Sequence, residues 1–229
     1  MVNRRSVCVV LSLLFVAFGL HAGERVYTFD DMEAWEVVTG DWRVEKGEFY
    51  AGGSNDTTIG LAVLKKDEGI TVDDLESVSV KAQDLGTGAW QNVFLVFGYE
   101  EDVVEYYLAG AFVGGRQKWA FDPIDPAIHK RGGALGEAAD ALGPKKWYEL
   151  KLVFDGDTAT LFGAELGDKL EERVSYTFGG GLPAGRVGLG VSNSEAKYDD
   201  FTLTGPGVSP LAVEPRGKLA TSWAALKRR

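Results

Sequence analysis

The sequence predicts an all-β sandwich of two antiparallel sheets. Three observations carry that expectation. Short runs of alternating apolar and polar residues follow one another along the chain, separated by turn residues. Glycine is abundant, with 30 of 229 residues, which suits many tight turns. The length fits one domain with a large core, and a single sandwich can absorb it.

The first 22 residues read as a secretory signal peptide, so residues 23–206 are expected to form the domain. Arg4 and Arg5 supply the charged start, residues 7–20 an apolar run of 14, and Ala22 a cleavage position. That run is short for a membrane span, and no span is expected after cleavage. The expected location is secreted or periplasmic. Cys8 is the only cysteine and lies inside the peptide, so residues 23–229 have no thiol or disulfide to hold the fold. Formal net charge is −10, and loss of Arg4 and Arg5 makes it −12. Such an acidic chain is a poor match for a nucleic-acid backbone, which selects a basic face. It suits a neutral glycan or a bound cation.

In residues 76–83, Val78, Val80 and Ala82 face one way and Ser77, Ser79 and Lys81 the other, a strand wet on one side. Residues 90–99 and most of 104–115 are apolar on both faces. They are expected mid-sheet, with one side on the second sheet and the other on a ligand groove or under loops. Residues 122–146 form the longest irregular segment, with a short helix expected at 134–142. Residues 146–154 bury Tyr148, Leu150, Leu152 and Phe154. Asp155-Gly156-Asp157 turns the chain tightly, and the next strand buries Ala159 and Leu161. Val187, Leu189 and Val191 share a face. Ala196 and Tyr198 have one parity, Phe201 and Leu203 the other. If all four are core, a β-bulge must lie at Asp199-Asp200. After residue 206 the composition changes to a linker and a basic tail. Leu219, Trp223 and Leu226 there have helical spacing, which predicts an amphipathic helix packed on the domain or a contact for a partner or cell surface.

Residues 27–53, 146–163 and 185–203 (YTFDDMEAWEVVTGDWRVEKGEFYAGG, KWYELKLVFDGDTATLFG and GRVGLGVSNSEAKYDDFTL) together resemble the concanavalin A-like jelly rolls of secreted bacterial proteins. That group includes laminin-G-like domains and the 3-keto-disaccharide hydrolase family. The resemblance implies a jelly-roll sandwich and covers roughly residues 25 to 205. It leaves the activity open among glycan binding, glycoside cleavage and a structural or cell-surface role, because the fold hosts all of them.

Four constellations are candidates for chemistry. Trp90, Tyr99, Tyr107 and Trp119 are interleaved with Gln91 and Arg116, the mixture of rings and hydroxyl-gripping groups that a carbohydrate platform uses. The alternative is that these rings are core. Asp30, Asp199 and Asp200 would meet where the first and last strands pair, and could hold structural calcium with added carbonyls. Glu100, Asp102 and Glu105 match an E-x-D-x-x-E spacing found in one glycoside hydrolase family of this fold, although Glu101 stands where that family has a branched apolar residue. Four acids in six residues also read as a solvated turn. Removal of a proton beside a ketone, which the 3-keto-disaccharide resemblance implies, needs a base. His129 is the only histidine after residue 22.

Overall fold

The computed structural model describes residues 22–52, 59–86, 91–115 and 117–210. The signal-peptide expectation, the tail beyond residue 210, Trp90 and Arg116 lie outside these residues. Sixteen strands are described. In chain order they are β1 Gly23–Tyr27, β2 Trp35–Thr39, β3 Asp41–Glu45, β4 Glu48–Gly52, β5 Gly60–Leu64, β6 Ser77–Asp84, β7 Asn92–Tyr99 and β8 Tyr106–Phe112. There follow β9 Lys118–Asp125, β10 Lys130–Arg131, β11 Gly136–Ala139, β12 Trp147–Asp155, β13 Thr158–Glu165, β14 Glu171–Thr177, β15 Arg186–Ser192 and β16 Ala196–Gly205.

They form two eight-stranded antiparallel sheets. Sheet I has the order β14-β13-β12-β6-β16-β4-β3, with β1 also on β16. Sheet II has the order β10-β9-β8-β7-β15-β5-β2, with β11 also on β9. No helix among the described residues is long and apolar enough to cross a membrane.

The sandwich forms because each sheet turns one parity of side chains inward. β6 gives Val78, Val80 and Ala82, β12 gives Tyr148, Leu150, Leu152 and Phe154, and β15 gives Val187, Leu189 and Val191, all buried in one cluster. Asp155 pairs with Thr158, so the β12–β13 loop is two residues long, and Gly156 takes the positive φ of 60° that the turn needs. β16 carries the expected bulge. Its register on β6 slips between Asp199 and Thr202, Asp200 has φ 50°, and Ala196, Tyr198, Phe201 and Leu203 are all fully buried. The bulge also marks a handover, since residues 196–198 pair with β4 and residues 201–205 pair with β1.

β7 and β8 lie in the middle of sheet II and are buried almost throughout. Their second face is covered rather than open. Phe94, Val96, Leu108, Leu61 and Val63 join a separate apolar cluster on the outer side of the sheet. Two backbone features close over it. A Cβ on Gly190 would lie 3.6 Å from the Ile59 side chain, so Ile59 sits above the middle of this face. The Ile59 N–H donates to the His129 carbonyl at 3.1 Å, tying the β9–β10 hairpin tip to the residue before β5, four strands away in the sheet.

The helix expected at residues 134–142 is instead an edge strand. β11 pairs with β9 in the register Gly136↔Phe121 to Ala139↔Lys118. Glycines at 132, 133 and 136 penalise a helix, and the open edge of β9 offers hydrogen bonds in exchange.

Candidate functional site

The platform residues that are described, Gln91, Tyr99, Tyr107 and Trp119, do not share a surface. Trp119 is fully buried between the sheets, where its Nε1–H donates to Asp140 at 2.8 Å. It cannot present a face to a glycan there, because inward parity on β9 aims it at the core. Tyr107 also points inward, stacked on Phe97 at 5.5 Å. Gln91 is 2% exposed. Tyr99 follows Gly98, whose φ of 72° breaks the alternation, and lies in the outer cluster with the Arg186 guanidinium 5.2 Å from its ring.

The acids of the E-x-D-x-x-E spacing stand on the turn between β7 and β8. On a turn, alternate positions do not project to one side, so no carboxylate pair faces a groove. Glu100 is tied to Arg186 and Lys66 at 3.7 and 3.5 Å, and Asp102 is exposed. Glu105 accepts from the Tyr107 hydroxyl at 3.0 Å.

Asp30, Asp199 and Asp200, the residues expected to hold calcium, do not form one group of three. Among the described residues no three His, Cys, Asp or Glu side chains converge, and the Asp200 carboxylate is engaged by Lys81. Burial pushes the Asp199 carboxyl up, and the neighbouring Asp200 charge adds to that. Asp30 lines a separate pocket with Tyr27, Trp35 and Glu68 at the edge of β1.

A different group of residues does converge. A pocket of about 420 Å³ opens where the β7–β8 turn meets the β9–β10 hairpin. Glu105 and Asp125 supply carboxylates, Lys130 an ammonium group, and Val104 and Ile128 an apolar rim. Val104 is 91% exposed and Ile128 55%. The Arg131 side chain lies on the other face of the sheet, with Ile124, and is braced there from two sides. Its Nε donates to Asp122 Oδ2 at 2.8 Å, and its guanidinium lies 4.1 Å from the Phe112 ring centroid. Asp122 is fully buried, and its Oδ1 has no hydrogen-bond partner among the described residues. Burial raises the Asp122 carboxyl, and the adjacent Arg131 opposes that rise. Tyr107, beside Glu105, is pushed up to about 12, by burial first and by its bond to Glu105 second.

His129 is on the hairpin tip next to Ile128. Its Nδ1 lies 3.1 Å from the Tyr106 hydroxyl, and its backbone is held at φ 46°. Burial lowers its pKa. Tyr106 is likewise raised by burial.

So the structure gathers Glu105 with Asp125 and Lys130, and leaves His129 one residue from the rim. Sequence reasoning missed Asp125 and Lys130. A signal was available: Lys118, Ala120, Asp122 and Ile124 alternate with Trp119, Phe121 and Pro123, which extends the strand past the point read as the start of a loop.

No protein-family model matches the sequence, and no curated protein does. Solved structures match by shape. The carbohydrate binding module CBM66 from Bacillus subtilis superposes with a TM-score of 0.61 at 13% identity, over 74% of this chain and 95% of that one. The Lotus tetragonolobus seed lectin gives 0.54 at 9% identity, over 80% and 96%. The exoplasmic/lumenal domain of VIP36 gives 0.56 at 11% identity, over 82% and 91%. The fold is the concanavalin A-like jelly roll. At these identities the likeness is one of architecture.

Proposed function

We propose that this protein binds glycans outside the cytoplasm, through the pocket between the β7–β8 turn and the β9–β10 hairpin. The observation that carries the reading is a pocket that holds Glu105, Asp125 and Lys130 together beneath an exposed apolar rim at Val104 and Ile128. An ammonium group and carboxylates grip hydroxyls, while an apolar edge takes the C–H face of a sugar ring. Two of the superposed structures are a carbohydrate-binding module and a lectin by name, which supports the class of ligand. The extracytoplasmic location rests on the composition of residues 1–22 alone.

Glycoside cleavage of the 3-keto-disaccharide hydrolase type is the second reading. One observation favours it: Glu105 and Asp125 share the pocket, with His129 beside its rim as a base held neutral by burial.

A glycan array with the purified protein, with and without calcium, followed by mass analysis of each bound sugar and of a 3-keto-glucoside, tests both. Binding of an unaltered sugar that Lys130→Ala weakens at least tenfold, about 1.4 kcal/mol, is the expected result. Cleavage of the bound sugar or of the 3-keto-glucoside makes the protein an enzyme. Silence on all probes favours a structural role, in which the covered face of sheet II is simply core. Binding that requires calcium would reopen the question of an ion.

A further inference from the structure

The outer face of sheet I carries a feature that the pocket does not use. Trp147 on β12 pairs with Gln83 on β6, Gln83 pairs with Lys197 on β16, Lys197 with Tyr50 on β4, and Tyr50 with Arg43 on β3. These five residues therefore form one straight row across five strands. All five point away from the core, because their neighbours Tyr148, Ala82, Tyr198, Phe49 and Trp42 are buried. Arg43 is exposed and the other four are half-buried. Three strand spacings separate the two rings, a span of about 14 Å. One sugar ring cannot touch both, but successive units of one chain can.

The polar groups fit the same ligand. Between the rings lie the Gln83 amide, whose Nε2 donates to the Lys145 carbonyl at 2.8 Å and whose oxygen can accept from a hydroxyl, and the Lys197 ammonium, which bonds Glu48. Lys197 Nζ lies 4.8 Å from the Trp147 ring centroid, and Arg43 lies 5.1 Å from that of Tyr50, so each ring is held by a cation. The row is nonetheless neutral. Lys197 is paired with Glu48 at 2.8 Å and Arg43 with Glu45 at 3.7 Å, on a chain whose net charge is −10. A polyanion finds no surplus positive charge here. A neutral polymer meets neither repulsion nor the cost of burying an unpaired ion.

We propose that this row is a docking track for one neutral polysaccharide chain laid across the strands, separate from the pocket. The proposal shares with the pocket reading only the class of ligand. Its residues lie on the other sheet.

Electrophoresis through gels containing arabinoxylan, mixed-linkage β-glucan or glucomannan tests it, using wild type, Trp147→Ala, Tyr50→Ala, Gln83→Ala, the pocket variant Lys130→Ala and the exposed-surface variant Lys169→Ala. Wild type is expected to be retarded by at least one polymer. Loss of either ring is expected to weaken retention about tenfold, or about 1.4 kcal/mol, and Lys169→Ala, outside both the row and the pocket, is expected to leave it unchanged. Matching melting curves establish that the variants are folded. If Tyr50→Ala is not, Trp147→Thr and Gln83→Ala still report on the row. Retardation that survives loss of Trp147, or that depends on Lys130 alone, overturns the track. So does a wild type retarded by none of the three, including one that instead captures a protein on this face. Failure of the pocket reading looks different, with no short sugar bound on the array while the polymer gels still retard the protein.

Discussion

The ring of Trp119 occupies the space above Gly163, so closely that a methyl group on Gly163 would lie 2.5 Å from a ring carbon. The two belong to facing sheets, β9 in sheet II and β13 in sheet I, and the missing side chain on one makes room for the large one on the other. Asp140 accepts the indole N–H, and Arg173 lies both 3.2 Å from Asp140 and 5.4 Å from the ring centroid. The Trp119 bond is the main reason that the Asp140 carboxyl is held below its usual range.

Gly163→Ala is therefore expected to destabilise the fold by about 1–3 kcal/mol through overpacking. Trp119→Ala is expected to cost about 3–5 kcal/mol. Urea denaturation followed by tyrosine fluorescence or circular dichroism measures both. A Gly163→Ala variant as stable as wild type would mean that the ring can shift aside.

The bulge at Asp200 makes a graded prediction. Its φ of 50° suits Asp, Asn or Gly and resists a β-branched residue. Asp200→Val is expected to lose about 1–2 kcal/mol through backbone strain. Asp200→Asn, which gives up only a half-exposed ion pair with Lys81, is expected to lose less than about 1 kcal/mol. Equal losses in denaturation midpoints would remove the strain argument.

His129 predicts a dependence on pH. Its folded pKa is below the ordinary value of 6.5, so the unfolded chain takes up the proton first. Stability is expected to fall as pH drops below about 6.5 and to level off once the folded form is protonated as well. His129→Asn, which tolerates the positive φ, is expected to remove that part of the slope in melting temperature between pH 7.5 and 5. An unchanged slope would assign the effect to carboxylates.

Tyr198 crosses the sandwich from β16 and donates its hydroxyl to the Gly190 carbonyl on β15 at 2.6 Å, fully buried. Tyr198→Phe leaves that carbonyl without the bond and is expected to cost about 1–3 kcal/mol. A thermal melt at neutral pH reads the difference.

Most of the sandwich was legible wherever a single segment contained its own evidence. The β12–β13 hairpin declared itself by alternation and Asp-Gly-Asp, and the bulge by four core residues of mixed parity. The site was less legible, for three physical reasons. Trp119 faces inward because β9 runs on through Asp122 and Pro123, a pair that reads as a turn. Tyr99 changes sides at Gly98, and only the backbone angle reveals that. The row from Trp147 to Arg43 exists through the register of five strands, which no one segment encodes.

β15 and β16 come last among the strands, yet each lies in the interior of its sheet, β15 between β7 and β5 and β16 between β6 and β4. During synthesis the earlier strands must wait as four partial sheets with open edges until residues 186–205 emerge. Neither layer can close before then. A ribosome-bound chain halted near residue 180 would hold neither complete sheet, and the waiting edges are what a chaperone would have to shield.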